Sequence, residues 1–83
     1  MSERDAMNPD DVKALLLAEL VGCDVTVEGD GRHFDVQVVG DIFEGLRPVQ
    51  RQQKVYAVLQ AQIADGAIHA VNMKTFTPGE LQQ

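Results

Sequence analysis

The chain has 83 residues, 45% hydrophobic and 24% charged, with a net charge of −6 at pH 7. That length holds one domain, burying roughly 60% of the unfolded chain's surface around a single core; with no Trp and one Tyr, that core must be mostly aliphatic. The acidity disfavours a phosphate backbone as main partner, and the lone Cys23 excludes an internal disulfide and hence a disulfide-stapled secreted scaffold.

The opening MSERDAMNPDD carries charges where a signal peptide needs an apolar run. No stretch approaches the roughly 18 apolar residues of a membrane span. A cytoplasmic protein without a membrane partner is therefore expected. The first structured element is a helix from about Pro9 to Val21, with Asn8 as N-cap, Pro9 at the first helical position, and Asp10 and Asp11 at the positive end of the dipole. Val12, Leu15, Leu16 and Leu20, with Glu19 among them, form its inward stripe, and Gly22 stops it.

CDVTVEGDGRHFDVQVVG then alternates with period two. Val25 and Val27, then Phe34, Val36 and Val38, fall on one face, with a Gly29-Asp30-Gly31 turn between them and Arg32 and His33 at the start of the second strand. DIFEGLRP allows only a turn or two, plugged by Phe43 and stopped at Gly45. Pro48 opens a second long helix, whose stripe is read as Val49, Gln52, Tyr56, Leu59 and Ile63, with Val55 flanking. A third strand from about Ala67 to Phe76 follows, and Thr77 with Glu80 three residues later signals a capped short helix over 78–83.

The order is αββ(α)αβ(α). The connection from the second strand to the third is a crossover, so those strands run parallel if they are neighbours, with their starts on the same sheet edge. That brings together the only two histidines, His33 and His69. If Ile68 points inward, His69 shares the open face of His33; if Val71 and Met73 are the core residues, His69 is buried with them.

The blocks HFDVQVVGDIFEGL, VQRQQKVYAVL and IHAVNMKTFTP, with the Gly-Asp-Gly hairpin before them, resemble the successive blocks of the BolA family, in particular its IbaG-like (YrbA-like) branch, over residues 8–80. The resemblance implies an α+β, class II KH-like αββααβ fold with a three-stranded mixed sheet and helices on one face. It leaves residues 1–7 as a disordered N-terminus and 81–83 as a frayed end. It also implies a non-enzymatic adaptor that pairs with a monothiol glutaredoxin across a shared [2Fe-2S] cluster completed by glutathione, in iron-sulfur trafficking, iron homeostasis or stress response.

The family histidine in its IHA block corresponds to His69, its usual cluster ligand; a second ligand comes from the hairpin-loop region, as Cys in one branch and His in another. Here the loop GDGR carries no thiol and Cys23 precedes the first strand, so His33 is the matching candidate. Imidazole suits iron, and two ligands alone complete no cluster. The bland reading of either histidine is a surface group holding a backbone carbonyl. Cys23 reads more simply as a small buried apolar residue.

No acidic residue lies between Glu44 and Asp65, an interval that holds Arg47, Arg51 and Lys54. These cations fit either a solvated face for an acidic partner or a nucleic-acid-binding regulator, the alternative function that reported DNA binding in the family and its KH-like fold suggest. The chain has no GXXG clamp of the KH type, and three cations give a salt slope no steeper than roughly −3, so DNA binding should be weak. Met73, Lys74 and Thr75 read as a strand end that packs, with Lys74 snorkelling. No nucleophile stands beside a base at motif spacing, so no enzyme is expected. Alone, the chain is expected to be a monomer or a weak homodimer.

Overall fold

The computed structural model describes residues 7–30 and 33–81. Its elements are α1 (Pro9–Glu19), β1 (Asp24–Gly29), β2 (His33–Val39), a 3₁₀ turn (Asp41–Phe43), α2 (Pro48–Ala64), β3 (Ala70–Phe76) and α3 (Pro78–Leu81). The order matches the pattern read from the sequence. The strands form one mixed sheet in the order β1-β2-β3, with β1 antiparallel and β3 parallel to β2. α1 and α2 lie across one face, and the other face shows Thr26, Glu28, Asp35, Asn72 and Lys74 to solvent.

Local chemistry sets the helix starts. Asn8 and Asp11 cap α1 reciprocally: the Asp11 N–H donates to Asn8 Oδ1 at 2.9 Å and the Asn8 N–H to Asp11 Oδ2 at 3.3 Å. α1 ends at Glu19, two residues before the expected Val21, which is exposed; Val12, Leu16 and Leu20 are buried, Leu15 packs partly, and Glu19 faces water. Met7 also packs against the core. The expectations on residues 1–6, Gly31, Arg32, Gln82 and Gln83 lie outside the described residues.

Phe34, Val36 and Val38 of β2 form the centre of the core, with Phe43 inserted from the 3₁₀ turn, Val55 and Leu59 from α2, and Ile68 from the loop before β3. Two expectations are corrected here. The inward stripe of α2 is not Val49, Gln52 and Tyr56: Val49 is 58% and Tyr56 43% exposed, while Val55 and Leu59 are fully buried with Val58 and Ile63 beside them. The sheet is three strands wide, so the flank of α2 that carries Val49 and Tyr56 overhangs its edge, with no strand beneath to cover them.

The second correction concerns β3, which starts at Ala70 rather than Ala67. The Ala67 N–H donates to Asp65 Oδ1 at 3.0 Å and the Ile68 N–H to the Gln62 carbonyl at 3.1 Å. Both amides are spent on ending α2, so the segment cannot join the ladder.

Gly40, between β2 and the 3₁₀ turn, sits against the Cys23 side chain, and a Cβ there would run into Cys23 Sγ. Gly40→Ala is expected to cost about 1–3 kcal/mol of overpacking. Urea unfolding should show that loss, and Gly40→Ala combined with Cys23→Ala should recover part of it, because removing Sγ opens the space.

Candidate functional site

The register of β2 and β3 sets His33 opposite Ala70, so His69 stands immediately before the residue paired with His33. Both histidines are exposed and both lie at the same edge of the sheet, where the two parallel strands begin. His33 belongs to the open face, since Phe34, Val36 and Val38 take the other. The two alternatives for His69 are not exclusive. Ile68 is buried, yet Val71 and Met73 also pack on the core side, because alternation begins only at Ala70. His69 precedes the strand and stays exposed.

The hairpin loop orients His33. Its N–H donates to Asp30 Oδ1 at 3.0 Å, and Asp30 Oδ2 lies 3.9 Å from the ring Nδ1. At that distance the carboxylate biases the ring without a direct hydrogen bond. Gly29 makes this turn sterically possible: it pairs with Phe34, and a Cβ on it would meet the His33 carbonyl oxygen at 2.5 Å. Sequence reading missed Asp30 as a partner of His33; the Asp-x-x-His spacing at a strand start was the available signal.

Cys23 is at the other end of the sheet, since Asp24 pairs with Val39 whereas Gly29 pairs with Phe34. A seven-residue strand separates the thiol from the histidine edge by about 20 Å. Burial, then the carboxylates of Asp24 and Asp41, push its pKa up and hold it as a thiol. Among the described residues no group of three or more His, Cys, Asp and Glu side chains is placed to hold a metal ion.

Against this geometry, the chain matches the family model of the BolA-like proteins over residues 10–80. It belongs to the BolA family. It is 43% identical over 74 residues to the acid stress protein IbaG of Escherichia coli (strain K12), covering 89% of this chain and 88% of that one. Among solved structures, a BolA homologue from Coxiella burnetii superposes with a TM-score of 0.82 at 33% identity, covering 93% of this chain and 99% of that one. The BolA domain of SufE1 from Arabidopsis thaliana gives 0.77 at 26% identity, covering 96% and 98%.

The three candidate cations of this BolA-family chain do not form one free patch. Arg51 is drawn inward, with a side chain only 12% exposed: Nε donates to the Leu46 carbonyl at 2.9 Å, and Nη1 and Nη2 to the two Glu80 oxygens at 2.7 and 3.2 Å. Arg47, just before α2, and Lys54 on it remain exposed. Glu80 also closes the expected cap, accepting the Thr77 N–H at 2.9 Å while its own N–H donates to Thr77 Oγ1 at 3.3 Å. Arg51 is thus the clasp that fastens α3 to the start of α2.

Hydrogen bonding from Arg51 and from the Thr77 backbone lowers the Glu80 carboxyl from 4.5 to about 2. A carboxylate with a lowered folded-state pKa contributes stability that is full above about pH 4.5 and disappears as the pH falls toward 2. The clasp is therefore expected to open in that window, as an NMR titration of the Glu80 side-chain carboxyl and of the Thr77 and Leu81 amides would report. In Arg51→Ala the Glu80 titration should move back up toward 4.5.

Proposed function

We propose that this BolA-family chain is a non-enzymatic adaptor that binds a monothiol glutaredoxin and contributes His69, with His33, to a shared [2Fe-2S] cluster. The observation that carries the proposal is the presence of two exposed histidines at the common start of β2 and β3, in a fold whose core is anchored one residue from His33 at Phe34. The donor chemistry fits half of a cluster. Imidazole is a borderline ligand suited to iron, and replacing thiolates by histidine on one iron raises a cluster's potential. With Cys23 buried at the opposite end, thiolates for the other positions must come from outside the chain, as a glutaredoxin cysteine and glutathione would supply them.

His69 and His33 would hold the cluster, and the cluster would supply electron and iron-sulfur transfer. The chain's own part is to present two ligands where β2 and β3 begin, with Asp30 steadying one of them. The relative named as an acid stress protein extends the proposal to a cytoplasmic role in acid stress, alongside iron-sulfur trafficking or iron homeostasis. The nucleic-acid reading has less support, because Arg51 is engaged by Glu80 and Leu46 and leaves only Arg47 and Lys54 free of the three candidate cations.

Mixing the chain with a monothiol glutaredoxin, iron, sulfide and glutathione tests the proposal. The expected result is a visible absorption and circular dichroism spectrum distinct from that of the glutaredoxin homodimer. A spectrum identical to the glutaredoxin's own, with no heterodimer on a sizing column, would remove it.

A further inference from the structure

Beyond the histidine edge, a groove of about 920 Å³ runs from α2 past β3 onto the open face of the sheet. Val49, Gln52 and Tyr56 of α2 and Val71, Met73 and Lys74 of β3 line it, together with residues of β1 and β2 on the open face. Val49 and Tyr56 are large apolar groups left in water, and β3 is an edge strand. An edge strand offers unpaired N–H and C=O groups to another strand. Apolar side chains beside such an edge add the contacts that make the pairing specific.

We infer that the occupant is a second copy of this chain, docked by antiparallel pairing of β3 with β3 about a two-fold axis midway between the two copies of Met73. Directly opposed residues in an antiparallel pair lie on the same face, so a two-fold normal to the sheet must pass midway between a residue and its own copy on the other strand. With that residue at Met73, all seven residues from Ala70 to Phe76 pair. Placing it at Lys74 sets Lys74 against Lys74 and pairs only five residues; placing it at Asn72 also leaves two unpaired and sets Lys74 opposite Ala70.

The Met73-centred arrangement is also complementary in charge. It sets Lys74 of each copy opposite Asn72 of the other. Asn72 in turn donates to Asp35 Oδ1 at 3.0 Å, one strand further in. Lys74 makes no ion pair among the described residues. Its ammonium would therefore meet the other copy's Asn72–Asp35 pair, about 10 Å away across two strand spacings and within reach of its four-carbon stem. The two-fold makes this contact twice. On the helix side Met73 meets Met73, Val71 meets Thr75, and both copies' Val49 and Tyr56 close over them; the adaptable thioether suits such a self-contact.

Sedimentation velocity across a wide concentration range tests the inference. The expected result is a concentration-dependent rise from the 9.1 kDa monomer toward twice that mass. Lys74→Glu should weaken the dimer about tenfold, because the new carboxylate would repel the other copy's Asp35 where the ammonium attracted it, and the contact occurs twice. Lys74→Asp combined with Asp35→Lys should restore it. All of these positions are exposed, and circular dichroism checks that each variant is folded. A protein that stays monomeric up to millimolar concentration overturns the inference. So does a dimer that ignores Lys74→Glu, or one that the charge exchange fails to rescue.

Discussion

Phe34→Ala is expected to lower the stability of the domain by about 3–5 kcal/mol, the usual cost of deleting a fully buried aromatic side chain and leaving a cavity. A domain of this size has a total of about 5–10 kcal/mol to lose. Phe34 is 1% exposed, sits in the middle of the core, and lies between His33 and Asp35 in β2, with Val71 as its cross-strand partner. Its loss therefore acts on the same edge that carries both histidines. Thermal or urea unfolding should show a midpoint far below that of the parent, and the hairpin and β3 amides should lose hydrogen-exchange protection first. Phe34→Leu, which keeps most of the volume, should cost much less.

His69→Ala is expected to do the opposite, leaving the fold intact and removing the function. His69 is exposed, precedes the strand, and its side chain makes no hydrogen bond among the described residues, so its truncation should change stability by less than about 0.5 kcal/mol. The spectrum of the reconstituted heterocomplex should nevertheless be lost or revert to that of the glutaredoxin alone. His33→Ala should give a partial effect on the same spectrum, and Asp30→Ala a smaller one that acts through the orientation of His33. A His69→Ala variant with unchanged spectrum and unchanged heterodimer affinity would remove His69 from the ligand set.

The element order was legible because each signal was local. Asn8 before Pro9, the alternation from Val25 to Val38 and the Thr77–Glu80 box each carry their own physics. The parallel pairing of β2 with β3 followed from the crossover and brought His33 and His69 to one edge. The face of α2 was not legible. Val49, Tyr56, Leu59 and Ile63 make as regular a stripe as Val55, Leu59 and Ile63, and the choice depends on a sheet that ends at β3. The start of β3 was misplaced for a similar reason: the Asp65 side chain and the Gln62 carbonyl take amides that an isolated reading assigns to the ladder.

Arg51 shows the limit of charge counting along a sequence. Its place among Arg47 and Lys54 suggested an open basic face, but its carboxylate partner is Glu80, 29 residues later, and only the docking of α3 brings the two together. Conversely, the short loop around Asp30 carried more information than its length suggested, because one carboxylate there meets both the backbone and the ring of His33.

The most direct test of the ligand assignment uses histidine labelled with heavy nitrogen in this chain alone. After reconstitution with an unlabelled monothiol glutaredoxin and glutathione, and one-electron reduction of the cluster, pulsed electron paramagnetic resonance reads nitrogen coupling to the iron. The expected result is a coupling from the labelled histidine that disappears in His69→Ala. A reduced cluster with no coupling to nitrogen from this chain would mean that all its ligands come from elsewhere, and would contradict the assignment.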